Sequence, residues 1–147
     1  MPLLPVSKAN NRAALLADRH YSRQKPGTRQ FMPPGETLVL LNPEATALFG
    51  WLKAKPELRA DHQVGVQCTI FRNESPARSS HLILEAEQQA LRRWGPTRAF
   101  TYVNPAKVIS PNPGYCFKIA GWKHTATTKT GLHLLEKELR YELDPCR

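Results

Sequence analysis

Between Asn104 and Trp122 the chain reads N-P-A-K-V-I-S-P-N-P-G-Y-C-F-K-I-A-G-W, and few backbone paths satisfy that order of residues. Asn112 suits a helix cap, Pro113 a first helical turn and Gly121 a helix exit, so the stretch predicts a short helix of about two turns that stops abruptly. The run R-A-F-T-Y-V before it and W-K-H-T-A-T-T after it are rich in β-branched and aromatic residues and read as strands. A strand, a short capped helix and another strand make a place where a ligand sits at a strand's carboxyl end.

The remaining elements follow from capping residues and periodicity. Ser7 is the expected cap of a helix through Lys8 to Ala17, a segment of alanine and leucine. From His20 to Gly35 three prolines and two glycines predict a long loop, and loops of that length are commonly functional or disordered. Strand-like runs at Thr37–Leu41, Ala47–Lys53 and Val64–Phe71 have spacings that suit antiparallel hairpins. Ser79 or Ser80 is the expected cap of the longest helix, His81 to Trp94, whose stripe is Leu82, Ile83, Ala86, Ala90 and Leu91. Gly95-Pro96 ends it, Ala99–Val103 is the next strand, and Leu132–Leu139 reads equally as a strand or a final helix. The sum is an α+β fold, a mixed and mostly antiparallel sheet flanked by helices, in a single domain over residues 1–147.

Composition narrows the functional classes. With 147 residues, 41% of them apolar, the chain has enough material for one core but not for two. No run approaches the roughly 18 apolar residues of a membrane span, and the start lacks a secretory leader, so the expectation is a cytosolic protein with no membrane partner. Cys68, Cys116 and Cys146 are too far apart for a zinc or redox motif, and the five histidines include no pair at helical ligand spacing, so free thiols and no metal are expected. The Trp51, Trp94 and Trp122 indoles read as core. A formal charge of +9 favours polyanions or acidic ligands as partners, without saying which. Tyr21, Arg23, Lys25 and Arg29 of the N-terminal loop are the candidate nucleic-acid contacts; an ordinary solvated basic face accounts for them equally well. The sequence fixes no oligomeric state, a homodimer included.

The junction F-R-N-E-S-P-A-R-S-S, from Phe71 to Ser80, leads from a strand into the long helix, where backbone N–H groups and the helix dipole attract anions. Arg72 and Arg78 add charge, and Ser75, Ser79 and Ser80 are small enough for a pyrophosphate to approach. In element order and motifs the chain resembles the GNAT superfamily of N-acetyltransferases, whose members hold acyl-CoA at a turn between the fourth strand and a helix. The family's turn, Q/R-x-x-G-x-G/A, is met by Arg72-x-x-Ser75-x-Ala77 in one register and Glu74-x-x-Ala77-x-Ser79 in another. Its second signature, a short helix ending Y-x-x-x-G-F, is matched by Phe117-Lys118-Ile119-Ala120-Gly121-Trp122. Phe117 stands where many such enzymes carry the tyrosine that protonates the leaving thiolate; Tyr115 and Ser110 are the alternatives, or backbone dipoles alone.

Within that superfamily the chain looks most like the phage Mom-type DNA-modification proteins, through His20-Tyr21-Ser22, Asn104-Pro105 where Asp-Pro is typical, and A-G-W after the short helix. The resemblance implies an enzyme of the cytoplasm of a bacterial or phage-infected cell that takes acetyl-CoA or another acyl-CoA and acts on a DNA base, with DNA as its partner. It places Asn104, Ser110 and Tyr115 near the reacting atoms and Arg72, Arg78, Ser79, Ser80 and Asn112 at the cofactor. Tyr102, Asn104 and Tyr115 are candidates for lining a base pocket, with Tyr102 alternatively a half-buried strand residue. Acetylation of a small amine or protein lysine, and a non-catalytic nucleic-acid-binding module, are the competing expectations.

Overall fold

The computed structural model describes residues 3–20, 31–108 and 112–142. Seven strands form one sheet: β1 (Leu4–Val6), β2 (Glu36–Leu41), β3 (Ala47–Lys53), β4 (Val66–Asn73), β5 (Thr97–Val103), β6 (Lys123–Thr127) and β7 (His133–Leu139). Their order is β1-β2-β3-β4-β5-β7-β6. Every neighbouring pair is antiparallel except β4 with β5, which is parallel because α2 (Ser79–Trp94) carries the chain back between them. The expected α+β class with a mixed, mostly antiparallel sheet is therefore what the described residues form.

The alternation of the strands explains the layers. Leu38, Leu40, Phe49, Trp51, Val66 and Cys68 point to one face and pack on Leu82, Ile83, Ala86, Ala90 and Leu91, the stripe expected of α2. Val39, Leu41, Leu48 and Leu52 point to the other face and pack on Ala13, Leu16 and Ala17 of α1 (Asn11–Ala17). At Thr69 the alternation breaks: Gly50 faces Ile70 while Trp51 faces Cys68, so Thr69 is an extra residue on β4. The slip of one position turns Ile70 toward α1 and Phe71 toward α2.

Several boundaries differ from expectation for local reasons. Asn10, not Ser7, caps α1 by accepting from the Ala13 N–H, while Ser7 accepts from Ala9 in a turn just upstream. Arg78 occupies the cap position of α2 without a side-chain bond, and Ser79 is already helical. α3 (Tyr115–Ile119) starts at Gly114 in the left-handed region, φ 75°, so Asn112 and Pro113 precede the helix; the Asn112 carbonyl still accepts from the Tyr115 N–H. Gly121, φ 99°, provides the exit that the sequence predicts. β4 begins at Val66 because Gly65, φ 119°, makes the turn into it. Leu132–Leu139 resolves as strand, paired along β5 on one side and β6 on the other. β1 carries no clear sequence signal; it is held through Leu3, whose N–H donates to Glu85 and whose carbonyl accepts from Gln89. Cys68 and Cys116 are free thiols, and Cys146 lies outside the described residues.

The A-G-W segment joins α3 to α2. Trp122 stacks on Trp51 at 6.2 Å and meets Phe117 edge-on at 4.9 Å, and its indole N–H donates to Glu87 at 2.9 Å. Lys137 of β7 donates to the other Glu87 oxygen and to the Ala120 carbonyl, both at 2.7 Å. Glu87 is only 4% exposed, and burial outweighs both partners, so its carboxyl pKa is raised. Trp51 and Trp122 are core, as expected, whereas Trp94 is half-buried at the rim of the cluster. Replacing Lys137 by Met leaves Glu87 without its cation. The expected cost is about 2 kcal/mol in urea unfolding, below that of a fully buried pair because Lys137 keeps part of its side chain in water. A stability equal to wild type would show that the pair is not what joins α3 to α2.

Candidate active site

β4 and β5 are paired at three positions only, Val66 with Ala99, Gln67 with Phe100 and Cys68 with Thr101. The Thr101 hydroxyl donates to the Cys68 carbonyl at 2.8 Å and marks the last of these rungs. Beyond it β4 continues to Asn73 and β5 to Val103 with no ladder between them, and the extra residue Thr69 sits where they part. A bulge at this point bends the strand and withdraws a residue from the ladder. A cavity of 590 Å³ opens there, walled by β4, β5, the turn after β5 and α3.

His20, at the end of α1, also lines this cavity. Burial, and secondly the charge of Arg72, push its pKa down to about 4, so the imidazole is neutral at physiological pH. Asn104 lines the wall at the end of β5, its side-chain oxygen accepting from the Ala106 N–H at 3.0 Å. Phe117 closes the α3 side and is 6% exposed, its ring edge-on to Phe71 at 5.9 Å. Tyr102 lines the cavity as the sequence suggests, yet its hydroxyl donates to Asp61 at 2.9 Å. Burial, followed by that carboxylate, pushes the phenol pKa up to about 12, so the hydroxyl keeps its proton near neutral pH and shares it with Asp61. Asp61 is in turn clamped by both arms of Arg59, which also donates to Gln67, and its carboxyl pKa is well below the usual range mainly because of Arg59. No Asp or Glu is among the described residues that line the cavity, and Lys107 stands at its rim.

The other candidate residues divide into three groups. Arg72 is engaged by Glu74, which Arg19 also grips, at 2.9 and 2.8 Å. Ser79 accepts from Asn73, Ser80 is buried and Arg78 makes no ion pair among the described residues. These four residues flank the turn after β4 rather than line the cavity. Asn73 organises that turn: its oxygen accepts from the Ser75 N–H and hydroxyl, and its nitrogen donates to Ala77. The Ser75 hydroxyl takes the Ala77 N–H at 3.2 Å. Two turn amides are thus held by the turn's own side chains, while the N–H groups of Arg78, Ser79 and Ser80, at the start of α2, have no described acceptor. Tyr115 is 55% exposed and Asn112 accepts from Lys118 at 2.6 Å; neither lines the cavity. Ser110, Tyr21, Arg23, Lys25 and Arg29 lie outside the described residues.

A second cavity of 910 Å³ lies at the opposite end of β4, lined by residues of the β3–β4 connection and by Pro33 and Pro34. Gln67 borders both, so the Arg59–Asp61–Tyr102 network stands between the two spaces. Its lining is largely apolar, whereas the first cavity gathers an imidazole, an amide and a lysine at strand ends, which is why the first is the candidate site. The His20-Tyr21-Ser22 run by itself gives His20 no place in the fold; only the packing of α1 on the sheet brings it to the end of β4.

The His20 pKa is lower in the folded chain than its ordinary 6.5, so the unfolded chain binds the extra proton first. Stability is therefore full above about pH 6.5 and declines as pH falls toward about 4. His20→Gln should melt with a shallower pH dependence in that window, and parallel curves for the two proteins would contradict a buried neutral imidazole. No protein-family model matches the chain, and no curated protein or solved structure matches it either.

Proposed function

We propose that the chain is a GNAT-like N-acyltransferase that uses acetyl-CoA or another acyl-CoA and serves Mom-type DNA base modification. The observation that carries this reading is the divergence of the one parallel strand pair after three rungs, onto a cavity that gathers His20, Asn104 and Phe117. Those residues come from the three separate motifs on which the resemblance rests. The fit to the cofactor's anionic part is supported by the start of α2, where among the described residues the Arg78, Ser79 and Ser80 N–H groups face no acceptor and Arg78 has no ion-pair partner. An acyl-CoA supplies an activated acyl carbon to the acceptor nitrogen.

The chain's own residues would act by position more than by acid–base chemistry. The bulge at Thr69 presents backbone where a carbonyl can be polarised, Asn104 orients an amide or base edge, and neutral His20 offers a hydrogen-bonding imidazole without a competing charge. With Phe117 in the wall and the Tyr102 hydroxyl held by Asp61, the leaving thiolate depends on backbone dipoles. The non-catalytic reading is favoured by one observation, the occupation of the Ser75 and Ala77 amides by the turn's own side chains. The two readings part on cofactor affinity. Calorimetry should detect acetyl-CoA binding to the wild type and at least tenfold weaker binding to Arg78→Glu, with nucleosides from expressing cells showing a modified base. Absence of heat at millimolar acetyl-CoA would reject the enzyme; cofactor binding with unmodified nucleosides would move the acceptor to a small amine or lysine.

A further inference from the structure

Between Glu87 and Glu136 the chain contains no Asp or Glu but seven cations: Arg92, Arg93, Arg98, Lys107, Lys118, Lys123 and Lys129. The fold brings three of them, Lys107, Lys118 and Lys129, to one end of the sheet, whereas Lys123 stands opposite Glu136 at the other end of β6. Lys118 lies on α3, Lys123 on the edge strand β6, and Lys129 in the turn joining β6 to β7. Lys107 follows β5 at the cavity rim. Registers fix their neighbourhood: His133 at the start of β7 faces Val103 at the end of β5 on one side and Thr127 of β6 on the other. The β6–β7 turn therefore stands at the same end of the sheet as the cavity. Among the described residues none of these four lysines makes an ion pair. Across the cavity the situation is reversed, since Arg19 and Arg72 share Glu74.

The surface also carries faces on which a base can stack. All five residues of β6 are exposed. His124 and His133 stack on each other at 4.2 Å, and the pKa of His133 is lowered by burial, then by His124 and by nearby Lys118, which ties α3 to this hairpin. Tyr115 and Ile119, one helical turn apart, are 55% and 54% exposed on the outer side of α3. Cations that make no ion pair among the described residues, beside an exposed aromatic ring, match what a nucleic-acid strand offers: spaced phosphates and π-faces. A protein surface partner would have to be strongly acidic along the same track, and Tyr115 would then have no base to stack.

We propose that α3, the β6–β7 turn and the turn after β5 form the DNA-contacting face, with Lys107, Lys118 and Lys129 on phosphates and Tyr115 against an unstacked base. The inference rests on the DNA-directed reading above for its placement beside the cavity, and it moves the main contact away from the N-terminal loop. The test is fluorescence anisotropy with a labelled single-stranded DNA and its duplex at several salt concentrations. The triple variant Lys107→Glu, Lys118→Glu, Lys129→Glu is compared with Lys53→Glu, Lys55→Glu, Arg92→Glu, which lie away from this face. Each set reverses three charges, two units apiece, and takes the formal charge from +9 to +3. The first should bind at least tenfold more weakly, with a salt slope flatter by about 2 to 3; the second should lose less than threefold. Tyr115→Ala should weaken the single strand several-fold and leave the slope unchanged. Should the first triple fail to fold by thermal melting, Lys129→Ala in the exposed turn carries the test, with a slope flatter by about 1. Equal losses from both triples, or no DNA binding by the wild type, would overturn the assignment. Acetyl-CoA titration of the same samples reads the cofactor hypothesis separately, so either can fail alone.

Discussion

The short parallel contact between β4 and β5 governs the rest of the molecule. Three rungs hold the strands together at one end, and a bulge at Thr69 lets them separate at the other. Gly65 makes the closed end feasible, because a side chain there would overlap the Arg98 carbonyl and lift β4 from β5. At the open end the facing strand edges need other company than each other, which is what gives the cavity polar backbone as well as apolar walls. The helix between the two strands necessarily starts beside this opening, so the dipole at its N-terminus and the gap between the strands arise from one connection.

What keeps the opening in shape is a set of contacts on the α2 side of the sheet. Glu87, placed on the apolar stripe of α2, takes the Trp122 indole N–H and the Lys137 ammonium, and Lys137 also binds the carbonyl of Ala120. These bonds fix the chain just after α3 and thereby hold Phe117 against Phe71. The A-G-W segment is thus architectural: alanine lends a carbonyl, glycine a left-handed turn with lysine packed alongside, and tryptophan a ring with a polar handle. On the other side of β5, Phe100 lies beneath the guanidiniums of Arg59 and Arg98 at 5.1 and 4.8 Å, and Asp61 holds Tyr102. Both walls of the cavity are therefore supported by ion pairs that the cavity itself does not use.

Most strands and the stripe of α2 were legible because alternation and the 3.6 period record burial directly. The helix starts are less so: a serine in the right place suits a cap, but Ser79 is engaged by Asn73, and Gly114 opens α3 although Asn112 has the side chain of a cap. The Leu132–Leu139 segment could not be decided locally, since it becomes a strand through pairing on both edges. Glu87 was readable in principle, standing four residues from both Ile83 and Leu91 on the buried stripe, yet its partners come from β7 and from beyond α3. The site was legible as separate motifs only. His20 and Asn104 are 84 positions apart, and no spacing rule predicts that they border one space. Tyr115 shows the converse, a residue beside Phe117 in sequence that a helix of five residues turns outward.

Backbone amide NMR during titration with acetyl-CoA tests the central claim most directly. The account predicts that the shifted resonances cluster at Thr69 to Phe71, at Arg78 to Ser80 and at Asn104, the two sides of the strand divergence and the start of α2. Shifts confined to the residues around Leu58 and Val64 in the second cavity, or a spectrum unchanged at millimolar cofactor, would contradict it.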